Sequence, residues 1–314
     1  MSHWSLYLDE SGDFDRDRGS VIAGLLVEAP LSHDLAVELR RALSIEHLGV
    51  AWPPHAWTLN SVEKLHEGIL NRKASLTDAG RTFFERATPD AQADRLVEAR
   101  GAIRDGLARL ARRIGAPVYV VGAVRRPEGH SPLPPLGQVF TDAYVDTLAA
   151  VFTRVALALR QDHELVLVDT FVAERDVLHA GLRKPMALRP VSVRQIATAA
   201  TRTIPGGATV NFQPFAIGQF EKAMPGVVAA DHVANRLLRS VMSHRHLGWA
   251  DVVRQVDRDT GLPVERGGPL LGAAGACHEA TVAAANGAPI PSFPVSAPTW
   301  AHEQAQAWVE ALRD

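Results

Sequence analysis

The chain opens with an alternating run, Trp4-Ser5-Leu6-Tyr7-Leu8, which delivers the acid pair Asp9-Glu10 into a turn at Ser11-Gly12-Asp13. Alternation with a period of two marks a short strand. The first element is therefore a strand, with Asp9 and Glu10 expected at or just past its C-terminal end. A carboxylate beside apolar side chains is costly unless strong donors or a cation compensate. Acids in this position are either caps on the turn or ligands for a metal. Spacing alone leaves both open.

The rest of the chain reads as further strands that then alternate with helices. Val21 to Val27 predicts a second strand, paired with the first as a hairpin. Leu35 to Leu48 has helical spacing, with Ser32 as its N-cap. Residues 49 to 80, broken by Pro53-Pro54, look like an insertion. Ala91 to Ile114 predicts an amphipathic helix with Leu96, Ile103, Leu107, Leu110 and Ile114 on one side. Arg100, Arg104 and Arg112 form a ridge on its other side, a face for solvent or for a phosphate backbone. A strand at Pro117 to Val124, a proline-rich loop at Pro127 to Pro135 and a helix at Gln138 to Leu159 come next. Then come strands at Glu164 to Val168 and Thr209 to Phe215, and a helix from about Gly226 to Ser243. Strands first and alternation afterwards predict an α/β fold, a mixed sheet flanked by helices. From His244 onward the composition turns Gly-, Ala- and Pro-rich, with a final helix at Thr299 to Leu312. We therefore expect one domain over residues 1–243 and a C-terminal extension over 244–314.

Two further acids repeat the opening pattern. In Leu165-Val166-Leu167-Val168-Asp169 an apolar strand again ends on an aspartate, and a cap on the next loop is the plain alternative. Asp231 interrupts the apolar helix Val227-Val228-Ala229-Ala230-Asp231-His232-Val233-Ala234-Asn235 and needs a partner there, Arg236, Arg239 or a metal.

These residues carry a resemblance. Tyr7-Leu8-Asp9-Glu10-Ser11-Gly12-Asp13, the later Val168-Asp169, and Ala230-Asp231-His232-Val233-Ala234-Asn235 resemble the domain of unknown function 3800 family over about residues 4 to 243. Its members begin with a Tyr-x-Asp-Glu-Ser-Gly strand and end with a Gln-x-Ala-Asp-x-x-Ala helix; here Val228 stands in place of the glutamine. The resemblance implies a ribonuclease H-like fold, with the first strand beside a later one and the last helix crossing their ends. Asp9, Asp169 and Asp231 would then converge, repel one another and hold Mg²⁺ or Mn²⁺, hard cations that prefer oxygen ligands. The activity implied is hydrolysis of phosphodiester bonds, a metal-dependent nuclease acting on RNA or DNA. Glu10 joins the catalytic set as a supporting group, because strand alternation turns it away from Asp9. Lys222 and His55 are the expected substrate contacts. The competing expectation is a non-catalytic ribonuclease H-like binding or scaffold subunit of a bacterial defence or mobile-element system. A protein partner or a second copy of the chain stays open as well.

Composition narrows the alternatives. The 314 residues are 46% hydrophobic and 22% charged, ordinary for a folded protein, and the net charge of -2 argues against wholesale attraction to nucleic acid. Cys277 is alone, and neither a leader nor a membrane-spanning run is visible, so a cytoplasmic location is expected. Asp13-Phe14-Asp15-Arg16-Asp17 fails as a calcium loop, with Arg18 where glycine is needed. Ser61-Val62-Glu63-Lys64 lacks the companion motifs of a Ser-x-x-Lys enzyme, and Cys277-His278 are neighbours that rarely face each other.

Overall fold

A computed structural model describes residues 2–12, 14, 19–125, 143–160, 164–173, 176–177, 186–187, 190–202, 209–215, 224–243, 249–264 and 270–273. Two long strands, β1 (Ser2–Gly12) and β2 (Ser20–Val27), form an antiparallel hairpin in which Leu8 faces Gly24 and Asp9 faces Ala23. Five helices then intervene: α1 (His33–Leu43), α2 (Val62–Leu70), α3 (Asp78–Arg86), α4 (Pro89–Ala108) and α5 (Leu110–Ile114). Single 3₁₀ turns stand among them at Glu46–Leu48 and Ala56–Asn60. After β3 (Val118–Arg125) come α6 (Ala143–Leu159), β4 (Val166–Val172) and the two-residue strands β5 (Asp176–Val177) and β6 (Met186–Ala187). The described chain ends with α7 (Pro190–Arg202), β7 (Val210–Pro214), α8 (Pro225–Ser243), α9 (Trp249–Thr260) and β8 (Leu271–Ala273).

The main sheet has the order β7-β4-β1-β2-β3-β8. Only β2 runs antiparallel to its neighbours; the β7–β4, β4–β1 and β3–β8 pairs are parallel. This is the mixed α/β sheet that the element order implied. Strand alternation splits its side chains into two cores. Tyr7, Ala23, Leu25 and Val120 face α1, α4 and α8, while Leu6, Leu8, Ile22 and Val121 face α6 and α7. Both faces are covered, so β2 is buried along its whole length.

One helix is seated unusually close. A Cβ placed on Gly24 would come 1.8 Å from the Tyr7 carbonyl oxygen and 3.0 Å from Ala230 Cβ. A Cβ on Gly226 would come 2.2 Å from the Tyr7 ring. Two glycines thus let α8 lie directly across β1 and β2. Asp231, next after Ala230, is carried to the edge of that contact.

Several boundaries differ from the sequence reading, each for a local reason. Ser32 caps α1 as expected, its hydroxyl accepting from Leu35 N at 3.1 Å, but the helix stops at Leu43 because Ser44 is extended. The helix expected over Ala91 to Ile114 starts earlier, at Pro89 behind the Thr88 cap, and breaks at Arg109 into α4 and α5. Arg100 and Arg104 therefore stand on α4 and Arg112 on α5, with Arg104 and Arg112 exposed and Arg100 half-buried. The strand carrying Asp169 does not end there: β-branched and aromatic Thr170, Phe171 and Val172 continue it.

Residue 243 is not a boundary of the packed core. Helix α9 packs on α8, β8 pairs with β3, and Val120 N and Gly122 N donate to Pro263 O and Leu270 O. The loop at Pro127 to Pro135, Cys277-His278 and the helix expected at Thr299 to Leu312 lie outside the described residues. Among the described residues no helix is long and apolar enough to cross a membrane.

Candidate active site

Asp9 stands inside β1, on the face that carries Tyr7, and points toward the side of the sheet covered by α8. Its Oδ1 accepts the Glu10 backbone N–H at 2.7 Å. Burial, the Asp231 charge and the Glu10 charge push its carboxyl well above the usual carboxylate range. A hydrogen bond to the Glu10 carboxyl pushes it further in the same direction. Alternation should turn Glu10 away, yet its side chain reaches back, and two hydrogen-bonded carboxyls need a proton between them.

Asp231 meets this pair from α8. Its Oδ2 accepts Ala56 N at 2.8 Å and lies 3.2 Å from His55 Nδ1. His55 is the N-cap of the Ala56–Asn60 turn, and the same Nδ1 accepts Trp57 N at 3.3 Å. A backbone N–H can only donate, so that bond requires an unprotonated Nδ1. A proton on Nδ1 instead favours the Asp231 contact. His55 therefore turns Nδ1 toward Asp231, with about two-fifths of its side chain open to solvent.

His232 secures the segment from behind. It is half-buried, and desolvation holds its imidazole below the usual histidine range. Its Nε2 donates to Pro54 O at 3.1 Å, since a carbonyl only accepts. Asn60 Nδ2 donates to Asn235 Oδ1 at 3.2 Å, one helical turn beyond Asp231. Neither His232 nor Asn235 was singled out from the sequence. The signal was there, in polar residues at 231, 232 and 235 interrupting one side of an otherwise apolar helix.

Asp169 does not join the cluster. Its partner across the β1–β4 ladder is Ser5, four residues before Asp9, and four residues of strand span about 13 Å. The side chain is buried, with Oδ2 2.8 Å from His3 Nε2 and 3.3 Å from Leu31 N. It faces Tyr7, whose hydroxyl is pushed up to about 12, mainly by burial. The carboxylate trio expected from the resemblance is thus divided: Asp9, Glu10, Asp231 and His55 stand together, and Asp169 forms a separate contact with His3. Neither aspartate is the strand-end group expected: β1 runs three residues past Asp9 and β4 three past Asp169, and the register that sets Asp169 beside Ser5 keeps the two apart. Among the described residues, no three His, Cys, Asp or Glu side chains enclose a point where an ion would sit. Lys222 lies outside the described residues.

No protein family, curated protein or solved structure matches this chain. The resemblance read from the motifs therefore rests on those residues alone.

Proposed function

We propose that this protein is a metal-dependent nuclease of ribonuclease H-like fold, with Asp9 and Asp231 as the acids that would take a Mg²⁺ or Mn²⁺ ion and Glu10 as the supporting group beside them. One observation carries the reading: Asp9 is held beside Asp231 and Glu10 in surroundings that favour its protonated form. Proteins place groups at such a cost mainly at functional sites. The donor set suits a hard cation, since every candidate ligand is a carboxylate oxygen. With so few fixed ligands, an ion held there would leave room for a substrate phosphate. A bound divalent ion supplies charge neutralisation for the phosphodiester and acidifies an attacking water. His55 holds or passes a proton at Nδ1, and Asp231 orients its ring. His232 fixes Pro54, and with it the approach to Asp231. The β1–β4 pairing and the crossing of α8 support the fold assignment, because that placement is what the resemblance implies.

The position of Asp169 favours a second reading, a binding or scaffold subunit that keeps the fold without catalysis. Calorimetric titration with Mn²⁺, paired with cleavage assays on single- and double-stranded RNA and DNA, separates the two. The nuclease reading expects Mn²⁺ binding and EDTA-sensitive cleavage, both lost in Asp9→Asn. Mn²⁺ binding without cleavage of any substrate assigns the scaffold role. Mn²⁺ binding unchanged in Asp9→Asn removes the metal site altogether.

A further inference from the structure

Beside the acid cluster, on the other side of the Pro54–Ala56 segment, lies a pocket of about 330 Å³ between α4, α8 and α9. That volume falls in the range of small-molecule sites, ~300–1,000 Å³. Four arginines line it, Arg100 and Arg104 from α4 and Arg236 and Arg239 from α8; Asp105 pairs with Arg104 at 2.8 Å, and among the described lining residues Asp259 is the one carboxylate facing the other three.

These cations are incompletely used. Asp259 is already served by Ser240 Oγ at 2.5 Å and Gln255 Nε2 at 3.0 Å, and Arg236 Nη2 reaches it only at 3.5 Å. Arg100 donates to the Leu59 carbonyl and Arg239 to the Asn60 side chain, both neutral acceptors. Among the described residues no carboxylate pairs with Arg100 or Arg239. Each guanidinium has five N–H donors, so several remain for a ligand. Burial lowers the Arg100 pKa, and Arg239 and Arg236 lower it further, so the three positive charges are close enough to repel. The floor is open as well: a Cβ on Gly101 would meet nothing within 4 Å.

We infer that this pocket is a phosphate-binding site, in which Arg100, Arg236 and Arg239 hold a phosphate group of a nucleotide or of a nucleic-acid strand. Guanidinium forks match phosphate oxygens in pairs, and an anion relieves the crowding among the three cations. The site shares the wall formed by Ala56 and His232 with the acid cluster, but it needs no metal ion and no catalytic step.

The test is calorimetric titration in EDTA at low salt, with adenosine 5′-monophosphate, adenosine and a twelve-nucleotide oligothymidylate as probes. The comparison set is wild type, the double variant Arg236→Gln/Arg239→Gln, Gly101→Leu and Arg112→Gln. Gly101→Leu fills the pocket without touching a charge and raises helix propensity, so it keeps the test valid if the double variant misfolds. The expected result is at least tenfold weaker binding in both pocket variants, wild-type binding in Arg112→Gln, and no adenosine binding. Saturation by the mononucleotide assigns a free nucleotide phosphate; binding of the oligonucleotide alone assigns a backbone phosphate. Equal binding by wild type and Gly101→Leu, or no binding of either phosphate probe to wild type, overturns the site. Asp9→Asn should bind these probes no more weakly than wild type, so failure of the metal reading leaves this result intact.

Discussion

At Asp9 the cost of crowding carboxyls has a sign that pH can read. The native state holds a proton there above the pH at which an unfolded chain would release it. Its stabilising effect is full below the ordinary carboxylate range. It is lost as pH rises from that range through the raised native value, at up to about 1.4 kcal/mol per pH unit. Asp9→Asn keeps the shape and removes the titration. In EDTA the variant should therefore melt above wild type at pH 7–8, with the difference shrinking toward pH 4; a wild type that stays the more stable at pH 8 refutes the crowding. Asp169 gives the opposite result because its carboxylate is satisfied by His3 and Leu31 N. Asp169→Asn weakens those charge-assisted bonds, and we expect it to cost about 1–3 kcal/mol in chemical denaturation while sparing Mn²⁺ binding. The two aspartates look alike in sequence, each at the end of an apolar run. Each is also followed by three more strand residues, Glu10-Ser11-Gly12 in β1 and Thr170-Phe171-Val172 in β4, so what separates them is the ladder register that sets Asp169 beside Ser5.

Helix α8 is the element that makes the site. Its seating on β1 and β2 brings Asp231 to Asp9, and it depends on the absence of side chains at Gly24 and Gly226. Neither glycine shows its purpose in sequence. Gly24 lies in an apolar strand and Gly226 comes after a proline, and only the crossing of α8 explains both. The strands and the apolar side of α8 were legible because their periodicity is set by burial on one face. The Ala56–Asn60 turn was not, since its partners, Asp231, His232 and Asn235, are about 175 residues away in the chain. Gly226→Val sets branched carbons against the Tyr7 ring and must push the helix off the sheet. Overpacking of this kind costs about 1–3 kcal/mol. We expect a lower melting temperature together with weaker Mn²⁺ binding, whereas Gly115→Ala, at an αL helix end remote from the site, should affect stability only.

Over the whole molecule, the mixed sheet was readable from the succession of strands and helices, but its β8 edge was not. Glycine, alanine and proline after His244 suggested an appendage, yet α9 and β8 close the core beside β3. The reason is physical: an edge strand of three residues such as β8 is too short to show periodicity, and α9 takes its meaning from the faces of α8 and α4 that it covers. Val256, Leu262, Val264, Leu270 and Leu271 are all buried. At about 1.5–3 kcal/mol for each fully buried aliphatic side chain, their loss rivals a typical total stability of about 5–15 kcal/mol. Ending the chain after Ser243 would also strip the Val120 and Gly122 amides of their partners and leave one wall of the arginine pocket missing. We expect that truncated chain to show no cooperative thermal transition and to expose apolar surface to a fluorescent dye. A truncated chain that melts cooperatively at the wild-type temperature would restore the boundary at residue 243 and make α9 and β8 an attachment rather than part of the core.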